Sequence, residues 1–550
     1  MLAASTPYDV SISGRVPSSG RWISVCRVTL LSERVSHRDR QCGHRPGSRH
    51  AGFRGAADGY RFGPSARRAF ARREGHVVTD TAEAGTGGTP PNITVTDDAT
   101  MKRAVGAAAV GNITEWFDFG VYAYLATTIE ANFFPPGPLA QIGVFAGFAV
   151  SFLVRPLGGL FFGPLGDRIG RTKVLSITVI MMAIGTFLLG FIPPYSAIGI
   201  WAPILLVLCR VVQGFSTGGE YAGAMTFIAE YSPDRRRGFF GSFLECGTFI
   251  GYALGATVAT VIPLISTPEF ASTWAWRIPF FIALPLGIVG VYLRVRLEET
   301  PAFQTLLSES EEREGQQAGE GIKKLFVKYW PAMLTAGGLV VAWNITNYML
   351  TSYMPTFLED NVTAVGGQAI DTTTSQIIQI VILWIGVFVI PALGMLSDRV
   401  GRKPLLYAGA IGLIVLAVPI LYILQLGSVV LVAVGLAVMG LLLVLFSSTC
   451  PSTLPALFPT EVRYGGLSIS FNIFVSAFAG TTSLIMSALV LGTGWGYWPA
   501  VYLIFAGVVG LIVLVKLQDP AGKPLPGSNP AVSTPEEARE LAASGAATRG

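Results

Sequence analysis

Two acidic residues, Glu115 and Asp118, stand inside the first long apolar stretch of the chain. Three positions apart, they share one helical face, with Asn112 and Tyr122 a turn away on either side and Trp116 between them. A carboxylate near the middle of a bilayer costs at least ~2.5–3.5 kcal/mol. Each must therefore be paired, protonated or turned toward a polar cavity. The chemistry on offer is reversible proton binding. All four histidines (His37, His44, His50, His76) precede residue 100, so proton handling in the apolar body falls to carboxylates. Arg210, in the fourth apolar stretch, and Arg155, in the second, are the cations able to answer them. Two readings stay open: a protonatable site facing a cavity, or structural ion pairs with Arg155 or Arg210. Arg155 has its own alternative as a snorkelling, packing residue. Glu220 follows Gly218 and Gly219 and reads as a relay toward the release side or as another structural pair.

The second half of the chain offers different chemistry. Its six apolar stretches contain no Asp or Glu, and no Lys or Arg before Lys516. Their polar groups are neutral, among them Asn344, Thr346, Asn347, Gln376, Gln379 and Asn472, and the rings include Trp343, Tyr348, Tyr353 and Trp384. An aromatic face attracts a desolvated quaternary ammonium by ~2 kcal/mol or more. The competing role of membrane Trp and Tyr is interfacial anchoring, which suits Tyr353 as well as binding does and suits mid-helix Trp384 less. The candidate binding set is Asn112, Trp116, Tyr122, Arg155, Gln213, Trp343, Asn344, Asn347, Tyr348 and Trp384. The candidate proton-coupling set is Glu115, Asp118, Arg210 and Glu220.

These groups need a scaffold that spans a membrane. The 550 residues are 51% hydrophobic and 13% charged, with mean hydropathy +0.54, against roughly 25% charged in soluble domains. Twelve apolar stretches follow Ala104, at about 104–129, 140–166, 173–192, 200–229, 239–263, 275–295, 330–354, 372–396, 405–424, 428–455, 465–490 and 496–516. At ~1.5 Å per residue each can cross a ~30 Å hydrocarbon core as a helix. Strand-like alternation is absent, which excludes an outer-membrane barrel. The fold class is therefore an all-α polytopic membrane protein with twelve transmembrane helices in two six-helix bundles, 101–295 and 330–517, joined by a linker over 296–329.

Charge sets the expected orientation. One set of alternate loops carries Arg168, Arg171, Arg235, Arg236, Arg237, Lys323, Lys324, Arg399, Arg402 and Arg463, whereas the opposite loops carry no Lys or Arg. The positive-inside rule then puts both termini and the linker in the cytoplasm, in a plasma membrane. Residues 1–100 hold 14 Arg against 9 acids, which is the whole +5 net charge, so the body is formally neutral and has no call on nucleic acid. That segment is expected to have no fold of its own. It is read as a disordered extension, an Arg-rich targeting peptide or a stretch upstream of a true start near Val77, with residues 1–76 expected to be dispensable for insertion and transport. The tail 518–550, with Pro520, Pro524 and Pro526, is expected to be disordered apart from a helix over 534–543. No metal-binding spacing, disulfide framework or nucleotide-binding loop is visible among the scattered cysteines and glycines, so no cofactor or metal is expected.

The stretch from Gly163 to Lys173 (GPLGDRIGRTK) recurs from Gly394 to Lys403 (GMLSDRVGRK), with its aspartates Asp167 and Asp398 231 residues apart. Such duplication points to two homologous membrane halves. Twelve stretches, a central loop and this repeated turn resemble the major facilitator superfamily, as does Arg210-Val211-Val212-Gln213-Gly214. Asn112 with Glu115-Trp116-Phe117-Asp118, Gly218-Gly219-Glu220-Tyr221, Trp276-Arg277-Ile278-Pro279-Phe280 and Leu297-Glu298-Glu299-Thr300-Pro301 are similar to its metabolite–proton symporter branch. The spans Tyr348–Pro355 and Ser452–Ala456 resemble that branch's osmoprotectant importers. The resemblance covers about 95–518. It implies that Arg210 partners a helix-1 acid, and that Gly163, Asp167, Arg168, Gly170, Arg171, Arg237, Asp398, Arg399, Arg402 and Arg463 form a cytoplasmic latch. Residues 518–550 are too short and too rich in Gly, Pro and Ala for the C-terminal heptad segment of some osmosensing members.

The expected activity is proton symport of a small zwitterion such as glycine betaine or proline, by alternating access and without enzymatic chemistry. The alternatives are a mono- or dicarboxylate symporter, for instance for α-ketoglutarate or shikimate, and a membrane sensor that binds without transporting.

Overall fold

A computed structural model describes residues 93–137, 140–169, 171–295, 325–362 and 372–544. Their helices group into twelve membrane-crossing segments. In the first half these are α1 (Asp98–Tyr124, continued by Ala126–Phe133), α2 (Ala140–Leu153 and Arg155–Ile169), α3 (Arg171–Leu189), α4 (Trp201–Thr217 and Glu220–Tyr231), α5 (Arg237–Ile265) and α6 (Ile278–Val295). In the second they are α7 (Trp330–Tyr348, a π turn Met349–Tyr353, then Met354–Asn361), α8 (Thr372–Val400), α9 (Arg402–Gln425), α10 (Val429–Ser447 and Cys450–Thr453), α11 (Arg463–Phe474, a π turn Val475–Ala479, then Thr482–Thr493) and α12 (Trp498–Lys516). Nine stretches among the described residues are long and apolar enough to cross a bilayer by length and composition alone. α1 carries Glu115 and Asp118, and α7 is interrupted by its π turn. The protein is a multi-pass membrane protein.

Glycines decide which helices touch closely. On α5, Gly247, Gly251 and Gly255 recur every fourth residue. A Cβ on any of them would run into the backbone carbonyl of Ala109, Ile113 or Phe117 of α1. This small-residue stripe lets the two backbones meet, since apolar burial gives no drive inside lipid. Likewise, a Cβ at Gly158 of α2 would strike the Phe215 carbonyl, and one at Gly214 of α4 the Ser151 carbonyl. Across the halves, α5 lies along α8 and α2 along α11.

Proline breaks supply the polar joints of that seam. A proline cannot donate to the carbonyl four residues back, and in three places the opposite half supplies the missing donor. Pro355 frees the Thr351 carbonyl, which accepts from the Tyr252 hydroxyl at 3.2 Å. Pro391 frees the Val387 carbonyl, which accepts from Cys246 Sγ at 3.6 Å. Pro156 frees the Phe152 carbonyl, which accepts from Ser476 Oγ. Broken helices are tolerated at membrane depth where neighbours restore such bonds.

The tail departs from the expectation of disorder. Residues 518–544 lie against the basic face of the bundle and end in α13 (Pro535–Ala543), whose N-terminus is capped by Thr534 accepting from Glu537 N at 3.2 Å. The short strand β1 (Thr94–Val95) pairs in parallel with β2 (Ala531–Val532), so residues 93–100 also belong to the fold. Asp519 accepts from the Arg402 and Lys403 amides at 3.3 and 3.1 Å, capping α9 where Gly401 turns through φ +94°. Arg237 donates to the Lys523 carbonyl at 2.9 Å, Arg463 to the Pro526 carbonyl at 2.7 Å, and the Ala531 amide to Asp234 at 3.2 Å. Leu525 of this strap is buried. Local composition pointed to disorder because the partners of these backbone groups come from helices far away in the chain. Truncation after Leu517 is expected to cost about 2–4 kcal/mol, given charge-assisted bonds of about 1.5–3 kcal/mol each. The detergent-solubilised protein should then melt several degrees lower, and an unchanged melting temperature would show that the strap contributes nothing.

Candidate substrate and proton site

Both helix-1 acids are buried and both are paired. Arg210 Nη1 lies 2.8 Å from Asp118 Oδ2, and Gln213 Nε2 donates to Asp118 Oδ1 at 3.2 Å while also reaching Thr186 Oγ1 at 2.8 Å. The Arg210 guanidinium stacks on the Tyr122 ring at 3.9 Å, and the Tyr122 hydroxyl donates to the Val144 carbonyl at 2.9 Å. Arg155 Nη2 lies 3.3 Å from Glu115 Oε1, with its guanidinium 4.3 Å from the Phe152 ring centre and 5.1 Å from that of Phe119. The two cations are thus separate. Arg210 with Asp118 is held inside the first half by α1, α3 and α4. Arg155 with Glu115 stands beside Phe152, whose ring meets Tyr348 of the second half at 5.1 Å.

The remaining sequence-derived residues divide. Trp116 is 6.1 Å from Tyr348 and 6.5 Å from Tyr221, and Tyr221 is 6.2 Å from Trp343, ring centre to ring centre. These buried rings form one aromatic wall across the seam. Asn112 is held as a tie between α1 and α5: it donates to the Leu244 carbonyl at 2.8 Å and to Thr248 Oγ1 at 2.6 Å, and accepts from Trp116 Nε1 at 3.1 Å. Asn344 donates to its own helix, at the Val340 carbonyl. Asn347 is buried on α7. Trp384 is half-buried on α8 and shares no ring contact with the wall among the described residues. Glu220 lies apart from the Asp118–Arg210 pair, at the N-terminus of the second piece of α4, where the helix end favours a carboxylate and Thr178 Oγ1 approaches at 3.5 Å.

On the basic face, Asp398 of α8 reaches across the seam and caps α5, accepting from the Gly238 and Phe239 amides at 2.7 and 2.8 Å. Arg402 stands 3.8 Å from it and donates to the Ser452 carbonyl. Arg237 pairs with Asp234 at 2.5 Å, and Arg463 bridges the halves to Glu230 at 2.9 Å. Arg399 is exposed. The expectations for Gly163, Asp167, Arg168, Gly170 and Arg171 fall outside the residues whose side-chain surroundings are described. On the opposite face Gln141 donates to Asp360 at 2.7 Å and accepts from Ser487 at 3.0 Å, while Gln376 joins Thr260 to the Tyr124 carbonyl. The centre is therefore closed by cross-half bonds toward both faces.

Sequence reading missed Glu230, which ends the apolar run of α4, and Glu245, a buried acid within the apolar run 239–263. The rule that singled out Glu115 applies equally to Glu245. Tyr221, central to the wall, entered the sequence reading only as the last residue of the Gly218-Gly219-Glu220-Tyr221 motif, and Tyr252, central to the seam, carried no signal beyond being aromatic.

Residues 104–530 match the family described as sugar (and other) transporter. The chain is 46% identical to the proline/betaine transporter of Escherichia coli strain K12, over 82% of this chain and 90% of that protein. It is 44% identical to the glycine betaine/proline/ectoine/pipecolic acid transporter of Dickeya dadantii over 82% and 90%, and 41% identical to the ectoine/proline transporter of Corynebacterium glutamicum over 82% and 91%. In fold it is similar to the proton:xylose symporter bound to 6-bromo-6-deoxy-D-glucose, with TM-score 0.62, 17% identity, and 78% of this chain and 98% of that one covered.

Proposed function

This chain belongs to the sugar (and other) transporter family of the major facilitator superfamily, and from that premise we propose that it imports a small zwitterionic osmolyte, such as glycine betaine or proline, together with a proton. Proline, glycine betaine, ectoine and pipecolic acid, named for its relatives, all carry one carboxylate and one positive centre. The observation that carries this reading is the pair of buried arginines, each neutralised by a helix-1 acid, facing a second half without membrane charge. Protonating the acid of such a pair frees its guanidinium, and a free guanidinium binds a carboxylate. Proton and substrate therefore favour each other, which is the condition for symport. Asp118 with Arg210 and Gln213 is the proton-handling pair. Arg155, beside the aromatic wall, is the arginine that meets the substrate carboxylate, and its own partner Glu115 shares α1 with Asp118, so that the release of Arg155 from Glu115 and proton uptake at Asp118 act on one helix.

In the cycle, the Glu230–Arg463 pair and the Asp398 cap close the cytoplasmic side, and the Gln141–Asp360 and Tyr252–Thr351 bonds close the outer side. Opening either side means breaking one set while keeping the other. By the loop-charge bias the basic face, both termini and the linker lie in the cytoplasm of a cell bounded by this plasma membrane.

Charge separates the zwitterion from the dicarboxylate alternative. A neutral substrate with one proton carries one positive charge inward, worth ~2.3 kcal/mol at ~100 mV, or roughly fifty-fold accumulation. A dianion with one proton moves against the potential and would need cations on both sides of the site, which the second half lacks. In proteoliposomes, excess proline should block labelled glycine betaine uptake and succinate or α-ketoglutarate should not. Inhibition by the dicarboxylates alone would overturn the substrate class and leave the transporter fold untouched.

A further inference from the structure

Glu245 of α5 is 2% exposed and faces the seam between the halves. Its carboxylate gathers hydroxyl donors: Thr248 Oγ1 at 3.0 Å, the Tyr221 hydroxyl, and Ser447 from α10 of the second half. Ser447 in turn accepts from Trp343 Nε1 at 3.0 Å. Unlike Glu115 and Asp118, Glu245 has no Lys, Arg or His within ion-pair distance among the described residues. A carboxylate accepts each of these hydroxyls through an oxygen lone pair, and a buried carboxylate charge without a counter-ion is strongly unfavourable. The site is thus arranged for a cation that the chain does not supply.

A second observation says where that cation comes from. The Tyr348 hydroxyl, fully buried, has no hydrogen-bond partner. The Tyr348 ring lies 5.1 Å from that of Phe152, on which the Arg155 guanidinium rests. It also lies 6.1 Å from that of Trp116, which in turn meets Tyr221, the hydroxyl donor to Glu245. The Trp116, Tyr221, Trp343 and Tyr348 rings line the ground between Arg155 and Glu245. An unsatisfied donor, an arginine and a carboxylate without a counter-ion therefore stand around one cluster of rings.

We propose that Glu245 receives the positive end of the substrate opposite Arg155, and that this carboxylate sets the preference for zwitterions over simple carboxylates. The assignment rests on the zwitterion reading above. Its test uses glycine betaine and its carbon isostere 3,3-dimethylbutanoate, which has the same shape and carboxylate but no positive charge. Binding of each is measured by calorimetry on the full chain in detergent, for wild type, Glu245→Gln and Glu245→Asp. Wild type should prefer betaine by about 30-fold or more, Glu245→Gln should bring the two ligands within about threefold, and Glu245→Asp should keep most of the preference. A Glu245→Gln variant that keeps the wild-type ratio, or weakens both ligands equally, overturns the assignment as a merely structural role. A wild type without the preference overturns the zwitterion reading itself, and this assignment with it.

Discussion

Asp118→Asn is expected to abolish uphill accumulation while leaving counterflow exchange intact. Asparagine matches the shape of aspartate and keeps one acceptor oxygen for Arg210, but it cannot bind and release a proton. The accumulation ratio in proteoliposomes with an imposed proton gradient should fall from tens-fold toward unity, a loss of the ~2.3 kcal/mol that one charge gains from ~100 mV. Arg210 is fully buried, and stripping one partner from a buried ion pair costs about 3–5 kcal/mol of stability. The double variant Asp118→Asn/Arg210→Gln removes both charges and should recover that stability without recovering accumulation. Stability and coupling are thereby read separately. If Asp118→Asn accumulates substrate with the wild-type pH dependence, the proton resides elsewhere, with Glu115 and Glu220 next to be examined.

The second large effect concerns Arg155. Arg155→Gln should weaken glycine betaine binding by about 2–3 kcal/mol, the range for truncating one partner of a buried charged pair, or roughly 30- to 150-fold in Kd. Arg155→Lys keeps the charge yet should lose about tenfold, because an ammonium lacks the planar fork and the stacking that Arg155 makes on Phe152 at 4.3 Å. Choline, which has the quaternary head but no carboxylate, should bind both variants as weakly as it binds wild type. Titration calorimetry distinguishes the cases. Wild-type affinity for betaine in Arg155→Gln would make the Glu115–Arg155 pair structural and leave Arg210 as the carboxylate anchor.

Particular residues show how far local information reaches. The twelve apolar stretches were legible because each must satisfy its own backbone hydrogen bonds in lipid, so length and composition specify a helix without reference to neighbours. The requirement that Glu115, Asp118 and Arg210 be buried near partners was legible for the same reason: a charge in an apolar run announces its cost. Glu245 obeyed that rule and was passed over. Its meaning depends on having hydroxyls instead of a cation beside it, and those come from α4, α5 and α10.

What the sequence by itself determined, then, is a duplicated twelve-helix body with charge confined to the first half and aromatic, neutral groups in the second. Tertiary structure alone decided that Asp118 takes Arg210 while Glu115 takes Arg155, that Asp398 caps a helix of the opposite half, and that the tail is strapped over Arg237 and Arg463. Periodicity and composition are properties of neighbours along the chain. Ion-pair choice, a cap accepted across a seam and a strand paired over more than four hundred residues depend on which distant backbones approach within about 3 Å, and that is decided by the glycine stripes and proline breaks through which the helices meet.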